Sequence, residues 1–215
     1  MTQKIFLFAM MVAIVVALGG CAQAKYAIPV VGTGLAMKDA SDQRRAVQLQ
    51  QKMMAEPDLP EWQQAREKIT LAMGDRTYDR PFDETFQAII VGVATLEVTV
   101  GNMERDSGFI SASGRILPSD LASAVRKQRL VDYAVAQGMS PAAAEPTEWM
   151  DPSTYASIME EATTMTITAQ EQGDDATKVK VRFNNIYYPR MLEESYRFVW
   201  NAIDKQGFLD DALDR

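Results

Sequence analysis

The chain has no histidine, and one cysteine, Cys21, among its 215 residues. Without histidine it lacks the commonest general base and the commonest metal ligand. Ser-His-Asp catalysis, Cys-His catalysis and histidine-based zinc sites are excluded. A lone cysteine forms no intramolecular disulfide, so no covalent staple holds the fold. An excess of positive charge is also missing: 22 Lys and Arg stand against 29 Asp and Glu, a net charge of −7. An acidic body argues against nucleic acid as a partner and against electrostatic docking on anionic lipid. The apolar run over residues 5–18 spans about 14 positions, short of the roughly 20 that a membrane-crossing helix needs.

What is present begins with that run. Lys4 supplies a positive start, the run follows, and Leu18-Gly19-Gly20-Cys21 closes it. A basic start, a short apolar stretch and small residues at its end are the parts of a secretory leader; an uncleaved N-terminal anchor is the competing reading. Leu18-Gly19-Gly20-Cys21 resembles the lipobox of bacterial lipoproteins, with an aliphatic residue three places before the cysteine and two small ones between. The resemblance implies cleavage between Gly20 and Cys21, a diacylglycerol on the cysteine sulfur, and acylation of the new amine. Two or more acyl chains anchor a protein stably, whereas one does so only marginally. Ala22 stands where an aspartate often retains such proteins at the inner membrane, so the resemblance implies the outer membrane, facing the periplasm. The expected organisation is a signal peptide over 1–20 and a lipidated tether over 21–38. A helical segment follows over 39–76, then an α+β domain over 77–215 with a helical insertion at 114–162.

Apolar content of 47% and charged content of 24% are near globular averages, so the mature chain can form a core. Ser41 can cap a helix that ends near Ala55, before Pro57. Pro60 opens a second, with Trp62, Ala65, Ile69 and Met73 at helical spacing and Gly74 at its end. These helices are expected to cover the core; a partner-binding hairpin is the alternative. Tyr78 and Phe82 suggest a short strand. Asp83 is placed to cap a helix from Glu84, on which Phe86, Ile89, Ile90, Val93 and Leu96 form one stripe. Two strands, 98–104 and 109–113, flank the turn Asp106-Ser107-Gly108. Pro118 and Ser119 open a helix through about Gln137, and a shorter helix is expected near Tyr155 to Glu161. Met165, Ile167 and Ala169 alternate with threonines. Val179, Val181 and Phe183 alternate with Lys178, Lys180 and Arg182. This pattern predicts an antiparallel hairpin with one apolar and one solvated face. A last helix is expected from about Leu192 to Gln206, with Gly207 after its C-terminus. The fold class is α+β: an antiparallel sheet with helices packed on one face, in a helix-grip-like arrangement.

Phe82-Asp83-Glu84-Thr85-Phe86 and Glu104-Arg105-Asp106-Ser107-Gly108-Phe109-Ile110 loosely resemble domains of Gram-negative lipoproteins. The C subunit of the outer-membrane β-barrel assembly machine is an example. The resemblance spans roughly residues 77–113 and 163–209, and the insertion at 114–162 departs from it. It implies a non-catalytic accessory role and transfers no catalytic residue.

Candidate sites follow from charge and aromatic content. Alternation would send Glu104 and Asp106 to one face of a strand, the pair a carboxylate hydrolase needs; a solvated strand end is the plainer reading. Asp174-Asp175 lacks the spaced oxygens of a calcium loop. No cofactor and no metal are called for. Lys178, Lys180 and Arg182 make a basic stripe, read either as a solvated face or as a docking surface. Tyr187, Tyr188 and Arg190 have the residue types enriched at binding hot spots. The expected partners are the membrane, through the acyl chains, and an envelope protein. The alternative function is carriage of a lipid or other apolar ligand in a concave pocket of the sheet.

Overall fold

The computed structural model describes residues 40–213, with side chains from 44 to 207. The leader, Gly20, Cys21 and the tether expected over 21–38 lie outside the described residues. Residues 37–215 make one compact unit.

Two helices come first, α1 (Ala40–Ala55) and α2 (Pro60–Met73). Pro60 sits at the start of α2, where its missing N–H leaves no bond unmade. Strand β1 (Asp75–Tyr78) and helix α3 (Phe82–Ala94) follow. Next come β2 (Glu97–Glu104) and β3 (Phe109–Arg115), and then the insertion of α4 (Ser119–Ala136), α5 (Pro146–Trp149) and α6 (Pro152–Met159). Strands β4 (Thr163–Glu171) and β5 (Thr177–Asn184) precede the last helix, α7 (Pro189–Leu213).

The five strands form one antiparallel sheet in the order β1-β5-β4-β3-β2. Side-chain alternation divides it into two unlike faces. Ile110, Ala112, Met165, Ile167, Ala169, Val179 and Val181 are buried beneath α3 and α7. Thr164, Thr166, Thr168, Lys178, Lys180 and Ser111 point the other way and are half-buried rather than buried. The expected α+β sheet with helices on one face is the observed architecture.

The two covering helices meet at Gly92. A Cβ there would lie 3.0 Å from the Ala202 carbonyl and the Ile203 Cα, so any larger residue would have to push the two backbones apart by a few tenths of an ångström. Phe86, Ile89 and Val93 of α3 and Tyr196, Val199, Trp200 and Ile203 of α7 fill the space between helices and sheet.

Antiparallel pairing sets where everything else collects. The end of β3, the start of β4, the end of β5 and the start of β1 share one end of the sheet. The insertion leaves and returns there, α2 enters there, and the segment 185–188 leaves there. α1 closes this helical layer: Ala46, Leu49 and Met53 are buried, and Gln50 bonds Asp151 and Thr154 at the start of α6. Tyr133 donates to the Glu56 carbonyl at 3.0 Å. The N-terminal helices therefore cover the core and join its hydrophobic cluster.

Three local expectations are corrected. The first strand is Asp75–Tyr78, and Phe82 belongs to the helix. That helix starts at Phe82 behind Pro81, and Asp83 caps nothing; its carboxylate meets Arg105 at 2.7 Å. The last helix runs through Gly207 rather than stopping there. The Phe208 side chain lies outside those described.

Candidate functional site

Tyr187 sits at the helical end of the sheet. Asn185 takes a left-handed backbone, φ 64°, and turns the chain out of β5. The guanidinium carbons of Arg129 and Arg66 lie 5.5 and 5.8 Å from the Tyr187 ring centroid, within cation–π range. Arg66 also donates to the Ile186 carbonyl at 2.6 Å and pairs with Asp58. Arg126 donates to the carbonyls of Met159 and Glu161, which end α6, and so caps that helix. Arg129 faces Glu161 at 3.6 Å. Burial pulls Arg126 and Arg129, each 8% exposed, below the ordinary guanidinium value, while Glu161 opposes that pull. The cluster ties α2, α4, the end of α6 and the loop before α7 into one joint. Its internal cavity is about 20 Å³, room for roughly one water.

Tyr188 does not face outward as a hot-spot residue would. It is 7% exposed, packs edge-on against Trp62 at 5.1 Å between centroids, and donates its hydroxyl to Asp132. Burial and then that bond raise its pKa well above the ordinary tyrosine range. Arg190 is exposed.

The basic stripe is less free than its spacing suggests. Asp75 on β1 stands opposite Lys180 and bonds its diagonal neighbours instead: Lys178 at 3.2 Å and Arg182 at 2.7 Å. Arg182 also donates to the Gly74 and Val181 carbonyls, which makes it a clamp between β5 and the end of α2. Burial would raise the Asp75 pKa, but the bonds and charges of Arg182 and Lys178 outweigh it and hold it low. Lys180 lies on the face opposite Val179 and Val181, beside Thr168.

Glu104 and Asp106 are not a pair on one strand face. β2 ends at Glu104 and Asp106 lies in the turn. Glu104 is exposed and accepts from Asn102 and Ser107. The cavity beside Tyr187 is lined by one acid, Glu161, and the cavity between α3 and α7 by one, Asp204.

A cavity of about 300 Å³ lies at the opposite end of the sheet from Tyr187. It sits between α3, α7 and the chain after β1 rather than in a concavity of the sheet. Tyr78, Arg80, Thr85, Ala88, Ile203, Asp204 and Gly207 line it. Tyr78 donates to Asp204 at 2.7 Å, and Arg76 pairs with the other oxygen of that carboxylate. Burial first, then the Asp204 bond, raises the Tyr78 pKa far above its usual value.

No protein-family model, no curated protein and no solved structure matches this chain.

Sequence reasoning missed both the arginine joint and this cavity. Arg126 and Arg129 fall inside the buried stripe Ala122, Val125, Leu130 and Tyr133 of α4. Two cations interrupting an apolar stripe at helical spacing were the readable sign. The cavity left one sign as well: small residues, Thr85 and Ala88, on the inner side of an otherwise large-residue stripe.

Proposed function

We propose that the chain is a bacterial envelope lipoprotein, acylated on Cys21 and displayed at the periplasmic face of the outer membrane. Its α+β body binds another envelope protein and carries out no catalysis. Leu18-Gly19-Gly20-Cys21 carries this reading. Anchoring confines the body to a surface and raises its effective concentration toward partners there, so modest contacts suffice.

The face that suits such a role is the one the helices leave open. It offers Lys180 beside Thr168 and the half-buried Phe109. A cation on a flat polar sheet within an acidic protein selects an acidic partner surface. Arg190 and the outer edge of Tyr187 form the second candidate contact, at the helical end.

A photo-crosslinking amino acid at position 180, and separately at 190, tests this in intact cells. The proposal expects one discrete adduct from position 180, lost when Cys21→Ala releases the body from the membrane. Absence of an adduct from both positions, with the protein present at normal levels, contradicts it.

A further inference from the structure

The cavity between α3 and α7 follows from how those helices cross. They touch at Gly92, where the α7 backbone comes as close as 3.0 Å to a built Cβ. Toward the start of α3 and the later turns of α7 the facing residues are Thr85, Ala88 and Gly207, all small. The helices pack closely around Gly92, and the described side chains at the other end of the contact are too short to close the gap between them. A wedge of about 300 Å³ remains, within the range of small-molecule sites.

Its wall chemistry defines what fits. Ala88, Ile203 and the body of Thr85 give an apolar lining. The polar rim is Tyr78, Asp204 and Arg80, and its charges are already engaged. Asp204 is paired with Arg76 and accepts from Tyr78. Arg80 donates to the Gly207 carbonyl at 2.9 Å and has a further partner. What the site still offers is acceptor capacity on the Tyr78 oxygen and the Asp204 carboxylate, together with the buried Thr85 hydroxyl, which has no hydrogen-bond partner and can donate or accept. A charged head group would lose more hydration on entering this largely apolar wedge than a hydroxyl does.

We infer that this wedge is a binding site for a small, uncharged aliphatic molecule bearing a hydroxyl group. The chain lies along Ala88 and Ile203, and the hydroxyl donates to Asp204 or Tyr78. The site is distinct from the partner-binding surface proposed above and does not depend on it.

Three probes with one chain and three heads test the inference: 1-octanol, octanoate and octylamine, titrated into purified protein while the Ile203 methyl resonance is followed. Octanol is expected to shift that resonance saturably, and each charged probe to bind about tenfold more weakly. Ala88→Leu fills the wedge. It is expected to weaken octanol binding about tenfold and to raise the Tm by about 2–4 °C. Ala88→Ser, which keeps the space, binds as the wild type does. If Ala88→Leu fails to fold, the comparison of heads on wild-type protein decides. An unsaturable or absent shift with octanol, tighter binding of either charged probe, or unchanged octanol binding in a folded Ala88→Leu variant overturns the inference.

Discussion

Gly108 closes the turn between β2 and β3 with φ 63°, and a Cβ there would lie 2.1 Å from the Ala169 carbonyl oxygen. Two costs therefore meet at one residue: a left-handed backbone and a collision with the neighbouring strand. Gly138, at the end of α4, has φ 87° with nothing within 4 Å of a built Cβ. The pair separates the two effects. Gly138→Ala is expected to cost about 1 kcal/mol from conformation alone. Gly108→Ala should cost about 3 kcal/mol or more, because strain and overpacking add; urea denaturation of both variants measures the difference. Asp151 gives a pH prediction. Burial would raise its pKa, but bonds from Ser153, Thr154 and Gln50 overcome that and hold it well below the ordinary aspartate value. The folded pKa lies below the unfolded one. The stabilisation is therefore fully present above the ordinary aspartate pKa, near pH 4, and is lost as pH falls through the lower folded value. Asp151→Asn should remove that part of the acid sensitivity, read as a flatter stability profile below about pH 4. At this scale the turn glycine was legible, since Asp-Ser-Gly between two alternating runs signals a turn. The bond from Gln50 to Asp151 was not, because Gln50 lies 101 residues away in the chain and nothing local announces it.

The α3–α7 crossing decides how the sheet is covered. Gly92→Ala gains roughly 1 kcal/mol in helix propensity, yet its methyl group meets backbone rather than a side chain that could move. Overpacking of this kind costs about 1–3 kcal/mol, so a net loss is expected, measured as a lower midpoint of thermal or urea unfolding. The elements themselves were largely readable. The threonine–apolar alternation of β4 and the lysine–valine alternation of β5 specify a half-buried hairpin, and the stripe Phe86, Ile89 and Val93 specifies α3. The errors fell where tertiary partners overrule local signals. β1 is a strand because β5 offers it Thr177 to Lys180 to pair with, and its own four residues carry little pattern. Asp83 reads as a cap from sequence, but Pro81 already sets the helix entry and Arg105, 22 residues on, takes the carboxylate. Gly207 reads as a stop, yet no reversed turn is needed there and the helix continues.

At the scale of the whole molecule, a sheet with two covering helices and a second layer of α1, α2, α4, α5 and α6 share one hydrophobic cluster. Trp200 anchors the sheet side, with its indole donating to the Met73 carbonyl at 2.6 Å, while Trp62 and Trp149 lie in the helical layer. Because α2 and the Tyr187 joint connect the layers, tryptophan fluorescence and far-UV circular dichroism should report a single coincident unfolding transition. Two separated transitions would mean that the layers fold independently. The class of architecture was legible from alternation and capping. The helical layer's role was only partly so, because its packing joins α1 and the insertion across about a hundred positions, over which no periodicity speaks. Everything proposed for the molecule's role depends on the fate of Cys21. Cells fed an alkyne-bearing fatty acid, with wild-type protein compared against Cys21→Ala, measure this directly. Label on the wild type alone, together with membrane fractionation lost in the variant, is the predicted result; equal label and equal fractionation of the two proteins would contradict it.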